Sequence, residues 1–311
     1  MSPPASEAVL GERPLCAEVS KAGGEPIAAT ASGIEHWLLV EHTGLWPYEP
    51  FEASVFAEGV REHLSDQLTE LGRSRLLLIK QPGRVRGKRL RVVYGRTPER
   101  GQRFFALELG RHAELLELDF VAALRDGHRL GEPLDHPLLL VCTHGKRDRC
   151  CARYGQPLCT ALHAQADPGW VWQASHVGGD RFAGNLVCMP EGLYFGRVGR
   201  EQAGSVLRSY IAGRIELEHY RGRSCYAFAV QAAEAHVRRV TGLVGFHDLR
   251  LLGRHRTAAD SWTVQLRAEV AGDVHEVAVG IEYGEEAHLT CRADARRPAR
   301  RFVARAHRVV P

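Results

Sequence analysis

Along the chain, short apolar runs alternate with stretches in which apolar side chains return every three or four positions. His36–His42 reads as a strand. Across Phe51–Leu71 the residues Val55, Val60, Leu64, Leu68 and Leu71 fall near one face, which predicts a helix. Arg75–Lys80 is a short strand that ends at the turn Gln81-Pro-Gly-Arg. Arg89–Tyr94 and Arg103–Leu109 predict a hairpin, and Glu114–Leu124 a helix. The order is strand, helix, strand, two strands, helix.

The next stretch repeats that order. Leu138–Cys142 is a strand, Cys150–Gln165 a helix and Trp170–Ala174 a strand. Leu186–Met189 and Leu193–Val198 form a hairpin around Pro190-Glu-Gly, and Glu201–Ala212 is a helix. Arg125–Pro137, with two Gly and two Pro, is the expected linker. Ser224–Val240 predicts an alanine-rich helix. Trp262–Val270 and His275–Tyr283 alternate apolar and polar residues and predict a hairpin around Ala271-Gly-Asp, with a third short strand at His288–Cys291. Residues 1–33 read as loop. The tail carries Arg292, Arg296, Arg297, Arg300, Arg301, Arg305 and Arg308. Its plain reading is a solvated face or loose end, and its sharper one is contact with an acidic partner. The expectation is an α/β chain in three parts: 1–130, 131–245, and a small β extension with the basic tail, 246–311.

Composition changes this picture little. An apolar fraction of 44% is ordinary for a globular protein. A formal net charge of +4 gives no argument for nucleic acid. No window of about 18 apolar residues exists, so no membrane span is expected. The first fifteen residues lack the apolar core of a leader, because Pro3, Pro4, Glu7, Glu12 and Arg13 interrupt it. A cytoplasmic protein is the default expectation. There, clustered cysteines are more often metal ligands or redox thiols than disulfides.

The cysteines are clustered. Five of eight, Cys142, Cys150, Cys151, Cys159 and Cys188, fall within residues 137–198. One predicted strand ends at Cys142 and another at Ser175–His176, each delivering a soft ligand to a loop, which makes a metal site plausible. Cys16 stands alone and reads as a free thiol without a role. Cys159 lies about two helical turns beyond Cys151 and reads as core. His163 reads as a surface helix residue, and Trp170 and Trp172 as core.

Three motifs carry a resemblance. They are Cys142-Thr-His-Gly-Lys-Arg-Asp-Arg-Cys-Cys151, Ser175-His-Val-Gly-Gly-Asp-Arg-Phe-Ala-Gly-Asn185 and Pro190-Glu-Gly-Leu-Tyr-Phe-Gly196. With them the chain resembles the sucrase/ferredoxin-like family, whose members carry a thioredoxin-like ferredoxin domain. Gly24-Glu-Pro, Thr30-Ala-Ser and Trp37–Glu41 look like its amino-terminal segment. Tyr220–Cys225 and Gln231–Glu234 look like its later helix. The repeated order of elements predicts two tandem thioredoxin-like units, the first without ligands, and the resemblance implies a 2Fe–2S cluster held by two cysteines and two histidines four residues apart. The cysteines fall on Cys142 and Cys151, and the first histidine on His176. The second histidine position is Asp180.

Three readings of Asp180 stand open. It binds iron through oxygen, lowering the potential, with Lys146, Arg147, Arg149 and Arg181 offsetting its charge. It accepts a hydrogen bond from His176 or Arg181 while Cys150, His144 or Cys188 completes the site. Or the site holds no cluster and Asp180 caps a turn. Cys151 at a helix start is expected to have a lowered thiol pKa. Gly178 and Gly179 are expected to let backbone approach the sulfides. Arg181 and Asn185 are expected to hold the turn by hydrogen bonds.

The function expected is one-electron transfer between a reductase and an acceptor protein, rather than an enzyme's reaction. No pair of carboxylates placed for glycoside hydrolysis can be identified. Two other readings are a thiol–disulfide protein using Cys151, against which the missing Cys-x-x-Cys argues, and a structural zinc site of Cys142, Cys151, His176 and Asp180.

Overall fold

The computed structural model describes residues 13–51, 54–83 and 89–310. The chain is mixed α/β, with a ten-stranded sheet and a separate four-stranded antiparallel sheet. It enters through a short helix, α1 (Cys16–Ala22). The first half of the large sheet is built from β1 (His36–Glu41), α2 (Glu58–Leu71), β2 (Ser74–Lys80), β3 (Leu90–Arg96), β4 (Arg103–Leu109), α3 (Phe120–Arg125) and β5 (Glu132–Pro133). The second half uses β6 (Leu138–Cys142), α4 (Arg149–His163), β7 (Val171–Ala174), β8 (Leu186–Met189), β9 (Leu193–Phe195), α5 (Ala203–Ile211) and β10 (Tyr220–Arg223). After α6 (Phe228–Thr241) come β11 (Leu249–Ala258), β12 (Ser261–Ala268), β13 (Val274–Ala287) and β14 (Arg297–Val310).

The two halves share one strand pattern. In the first, β1 lies parallel to β2 and antiparallel to β3, which pairs antiparallel with β4. In the second, β6 lies parallel to β7 and antiparallel to β8, which pairs antiparallel with β9. An antiparallel pairing of β2 with β7, Ile79 opposite Ala174, joins them. Each parallel pair is connected through a helix, as such a crossover requires.

Strand alternation decides which way Cys142 points. Leu138, Leu140 and Cys142 face one side of the sheet, with Trp37, Leu39, Leu77, Ile79, Trp172 and Ala174. Leu139 and Val141 face the other, against Leu158, Cys159 and Leu162 of α4. Leu158 and Leu162 are fully buried, each contributing about 1.5–3 kcal/mol. In the first half, α2 and α3 cover that same second face with Val60, Leu64, Phe120 and Leu124. Helix α6 packs Ala229, Val230, Ala233 and Val237 on Val264, Leu266, Val277 and Val279 of the small sheet.

Several expectations are corrected. Within the stretch read as loop, Cys16–Ala22 is helical and buries Cys16, Ala17 and Ser20; residues 1–12 lie outside the described residues. The helix expected at 114–124 is split into a 3-10 turn, His112–Glu117, and α3, because the Asp119 side chain accepts from Ala122 N and starts a new helix. The helix expected from Ser224 starts at Phe228, after the strand β10. His288–Cys291 is loop rather than strand. Most of the basic tail is the fourteen-residue strand β14, in which Arg308 pairs with Glu276 of β13 at 2.5 Å and Arg305 lies 3.9 Å from Glu282. Strand β11 was not expected, since Arg250, Arg254, His255 and Arg256 hide its alternation. Among the described residues no helix is long and apolar enough to cross a membrane.

Candidate metal centre

Cys142 ends β6, Cys151 lies in the first turn of α4, and His176 follows β7 by two residues. Parallel pairing sets Cys142 opposite Ala174, so both strand ends open on one point. Helix α4 can start there because Asp148 caps it, accepting from Cys150 N at 2.8 Å. Its approach to β6 depends on Gly155, where a Cβ would meet the Cys142 carbonyl oxygen at 1.9 Å. The donor atoms of Cys142, Cys151 and His176 lie within 4.8 Å of one another.

Asp180 joins them. Its Oδ1 accepts from Cys151 Sγ at 3.3 Å and lies 2.9 Å from His176 Nδ1. That second contact is short but misaligned: Nδ1 is buried and makes no directed hydrogen bond. A buried ring nitrogen beside two thiols and a carboxylate fits a borderline or soft metal. Cys142, Cys151 and Asp180 are buried, and His176, with 22% of its side chain exposed, gives the site its contact with solvent.

The electrostatics follow from this crowding. The Cys142 thiol is pulled well below its usual range, first by the neighbouring Cys151 thiol and then by His176, against the effect of burial. Cys151 is pushed well above its usual range by Cys142, by burial and by the Asp180 charge. The expected lowering of Cys151 at the helix start is thus overturned, because two adjacent anions outweigh the helix terminus. Burial would lower His176, yet Asp180 and Cys142 outweigh it and raise the ring to about 9. Burial would raise Asp180, and His176 with the Cys151 thiol pull it down instead.

Of the substitute ligands, Cys150 and Cys188 lie elsewhere, and His144 stays near Cys142 and His176 without joining the set, its buried Nδ1 making no hydrogen bond. Cys150 points away from this set, with its Sγ 3.6 Å from that of Cys16 and 3.4 Å from that of Cys291. Cys188 is buried in β8 among apolar side chains. His144 hydrogen-bonds the Pro47 carbonyl through Nε2 at 2.7 Å and meets Trp46 edge-on. A carbonyl only accepts, so Nε2 carries the proton there.

The loop after β7 is held mainly by a residue that sequence reasoning missed. Arg221 of β10 is fully buried, and its guanidinium donates to Gly178 O, Asn185 Oδ1, Thr30 O and Thr30 Oγ1. Asn185 donates in turn to Gly179 O at 2.8 Å, as expected. Arg181 does not hold the turn: it pairs with Glu25 at 2.8 Å. Gly179 has a φ of 82°, and a Cβ there would meet the Arg221 guanidinium at 2.3 Å. A Cβ on Gly178 would meet Ser32 Oγ at 2.6 Å. The glycines therefore make room for Arg221 and Ser32. The pair Arg221 and Arg223 in one short strand, both buried, was the available signal, but inward-facing arginines are what strand reasoning discards.

Comparison with known proteins adds the following. A family model described as sucrase/ferredoxin-like matches residues 27–222. Three relatives share the name altered inheritance of mitochondria protein 32. That of Clavispora lusitaniae is 34% identical over 101 residues, which is 30% of this chain and 37% of the relative. That of Debaryomyces hansenii is 36% identical over 95 residues, 27% of this chain and 35% of the relative. That of Eremothecium gossypii is 30% identical over 109 residues, 30% of this chain and 34% of the relative. The match thus spans about a third of each relative's length. Among solved structures, the wild-type thioredoxin-like 2Fe–2S ferredoxin from Aquifex aeolicus aligns over 29% of this chain and 100% of its own, at 16% identity and a TM-score of 0.26. A superposition at that level says nothing about the site.

Proposed function

The chain belongs to the sucrase/ferredoxin-like family, and from that premise we propose that it is a one-electron carrier whose Cys142, Cys151, His176 and Asp180 hold a 2Fe–2S cluster. The observation that carries this reading is the convergence of two thiols, an imidazole and a carboxylate at the ends of β6 and β7 and the start of α4. In the same reading each half of the large sheet is a thioredoxin-like unit, since each has the order strand, helix, parallel strand, two antiparallel strands. Only the second half brings ligands.

A bound cluster would supply a one-electron couple whose potential follows ligand charge, hydrogen bonding and burial. The protein's own residues set those terms. Cys142 and Cys151 provide charge at a buried position. His176 keeps the ligand set less negative than four thiolates would. Asp180 adds a charge that a second histidine would not, and so pulls the potential down. Arg147 acts on Asp180 from nearby and is itself paired with Glu49. Arg221 and Asn185 fix the loop that carries His176 and Asp180. A reductase and an acceptor protein are the partners this role needs, and the partly exposed His176 is where they would approach.

A second reading has its own observation. Ligand atoms within 4.8 Å of one another suit a single tetrahedral ion, and zinc accepts all these donors. Protein purified without oxygen decides between the two. Red-brown protein with about two irons and two sulfides per chain, paramagnetic on reduction, supports the carrier. Colourless protein whose zinc disappears in the Cys142→Ser variant supports the single ion and ends the carrier reading.

A further inference from the structure

A second donor set lies on the other side of α4. Cys16 opens α1, Asp148 caps α4, Cys150 is the second residue of α4, and Cys291 sits in the loop between β13 and β14. The three sulfurs form a nearly equilateral triangle: 3.6 Å from Cys16 to Cys150, 3.4 Å from Cys150 to Cys291 and 3.6 Å from Cys291 to Cys16. The Asp148 oxygens lie 3.9 and 3.8 Å from Cys16 Sγ. We propose that Cys16, Cys150, Cys291 and Asp148 bind one zinc ion, which fastens α1 and the β13–β14 loop to the start of α4.

The spacing is that of ligands on one ion. A tetrahedral zinc with Zn–S bonds of about 2.3 Å holds its thiolates about 3.8 Å apart. The observed triangle need open by only a few tenths of an ångström to take an ion. A disulfide needs a sulfur pair at about 2.05 Å and leaves the third thiol over. The four donor atoms lie within 4.8 Å of one another, as the ligands of one ion do.

The surroundings are prepared for charge. Asp148 Oδ1 accepts from Cys150 N at 2.8 Å and Oδ2 from Cys291 N at 2.7 Å, which fixes the carboxylate and leaves a lone pair on each oxygen. Cys16 N donates to Cys291 Sγ at 3.5 Å. Cys16, Asp148 and Cys150 are buried, while Cys291 is half-buried and leaves a way in. On binding, three S–H bonds ionise, three Zn–S bonds form, and the three protons pass to solvent. No electron is exchanged.

The ion would join segments that only the fold brings together, since Cys16 and Cys291 are 275 residues apart. The proposal does not rest on the electron-carrier reading, because Cys151 serves the other set.

The test uses the full chain, grown with zinc, freed of loose metal by gel filtration, and analysed for zinc and iron together. Wild type should keep about one zinc at this site. Cys16→Ser and Cys291→Ser should each lose it, with iron content and visible absorption unchanged. Should either variant fail to fold, cobalt replaces zinc in protein carrying Cys142→Ser and Cys151→Ser, where the first site is gone. A thiolate-to-cobalt charge-transfer band, saturating at about one cobalt per chain, supports the proposal. It is overturned if that band is missing, if both single variants keep wild-type zinc, or if mapping of unreduced protein finds two of the three cysteines joined. A failed carrier reading looks different: zinc in place of iron at Cys142 and Cys151, with this second zinc still lost in Cys291→Ser.

Discussion

Cys150 and Cys151 are consecutive in the first turn of α4, yet their thiols enter different donor sets. Cys151 Sγ donates to Asp180 Oδ1 at 3.3 Å, and Cys150 Sγ lies 3.4 Å from Cys291 Sγ. Consecutive helical positions are turned by about 100° around the axis, so the two side chains leave the helix on different sides. The two serine variants should therefore behave differently. Cys151→Ser should lose all visible absorption from the cluster, and Cys150→Ser should keep it. Equal loss in both, with circular dichroism intact, would mean that the two sets act as one.

Asp180 stands where the family resemblance implies histidine, and its oxygen touches both Cys151 and His176. Asp180→Asn keeps the shape and removes a buried charge. The reduction potential should rise and the visible spectrum should shift, because the oxidised centre becomes less negative. Asp180→His should raise the potential too, and should make it more dependent on pH. Protein-film voltammetry across pH 6–9 reads both. Unchanged spectrum and potential in Asp180→Asn would reduce Asp180 to a hydrogen-bond acceptor.

The strands that end at the ligands were legible because their sequence is local and one-sided in meaning. Leu138–Cys142 is a continuous apolar run, as a strand buried on both faces must be, and its bounds were read to the residue. The convergence of Cys16 with Cys291 was not legible: no spacing within a chain encodes a meeting across 275 residues. Strand β14 was hidden by its arginines, two of which, Arg305 and Arg308, face Glu282 and Glu276 on the adjoining strand rather than partners nearby in sequence. Arg221 was missed for the opposite reason. A buried arginine on a strand breaks the burial rule, and only the open carbonyls of Thr30 and Gly178 show why it is there.

Arg221 supplies the next prediction. Arg221→Met keeps much of the apolar stem but leaves Gly178 O and Thr30 O without that donor in a buried place. Each unpaired buried acceptor costs about 1–3 kcal/mol, so a loss of roughly 3 kcal/mol or more is expected in urea unfolding. Arg221→Lys should recover only part of it, since an ammonium cannot reproduce the planar fork that reaches Gly178, Asn185 and Thr30 together. Cluster half-life in air should shorten in the same order. A lysine variant as stable as wild type would show that charge alone holds the loop.

Gly155 offers a test in which two effects have opposite signs. In an ordinary helix interior, Gly→Ala stabilises by about 1 kcal/mol. In α4 the new Cβ would lie 1.9 Å from the Cys142 carbonyl oxygen and 3.0 Å from its carbon. That is backbone, which cannot swing aside, so α4 must move away from β6. Forced overpacking of this kind costs about 1–3 kcal/mol, which outweighs the helical gain. Gly155→Ala should therefore unfold at lower urea than wild type. It should also bind less metal, because α4 carries Cys151 and β6 carries Cys142, and their separation is what the alanine changes. A more stable Gly155→Ala protein with full metal content would show that the helix and the strand are not held at this distance, and that the ligand geometry does not depend on Gly155.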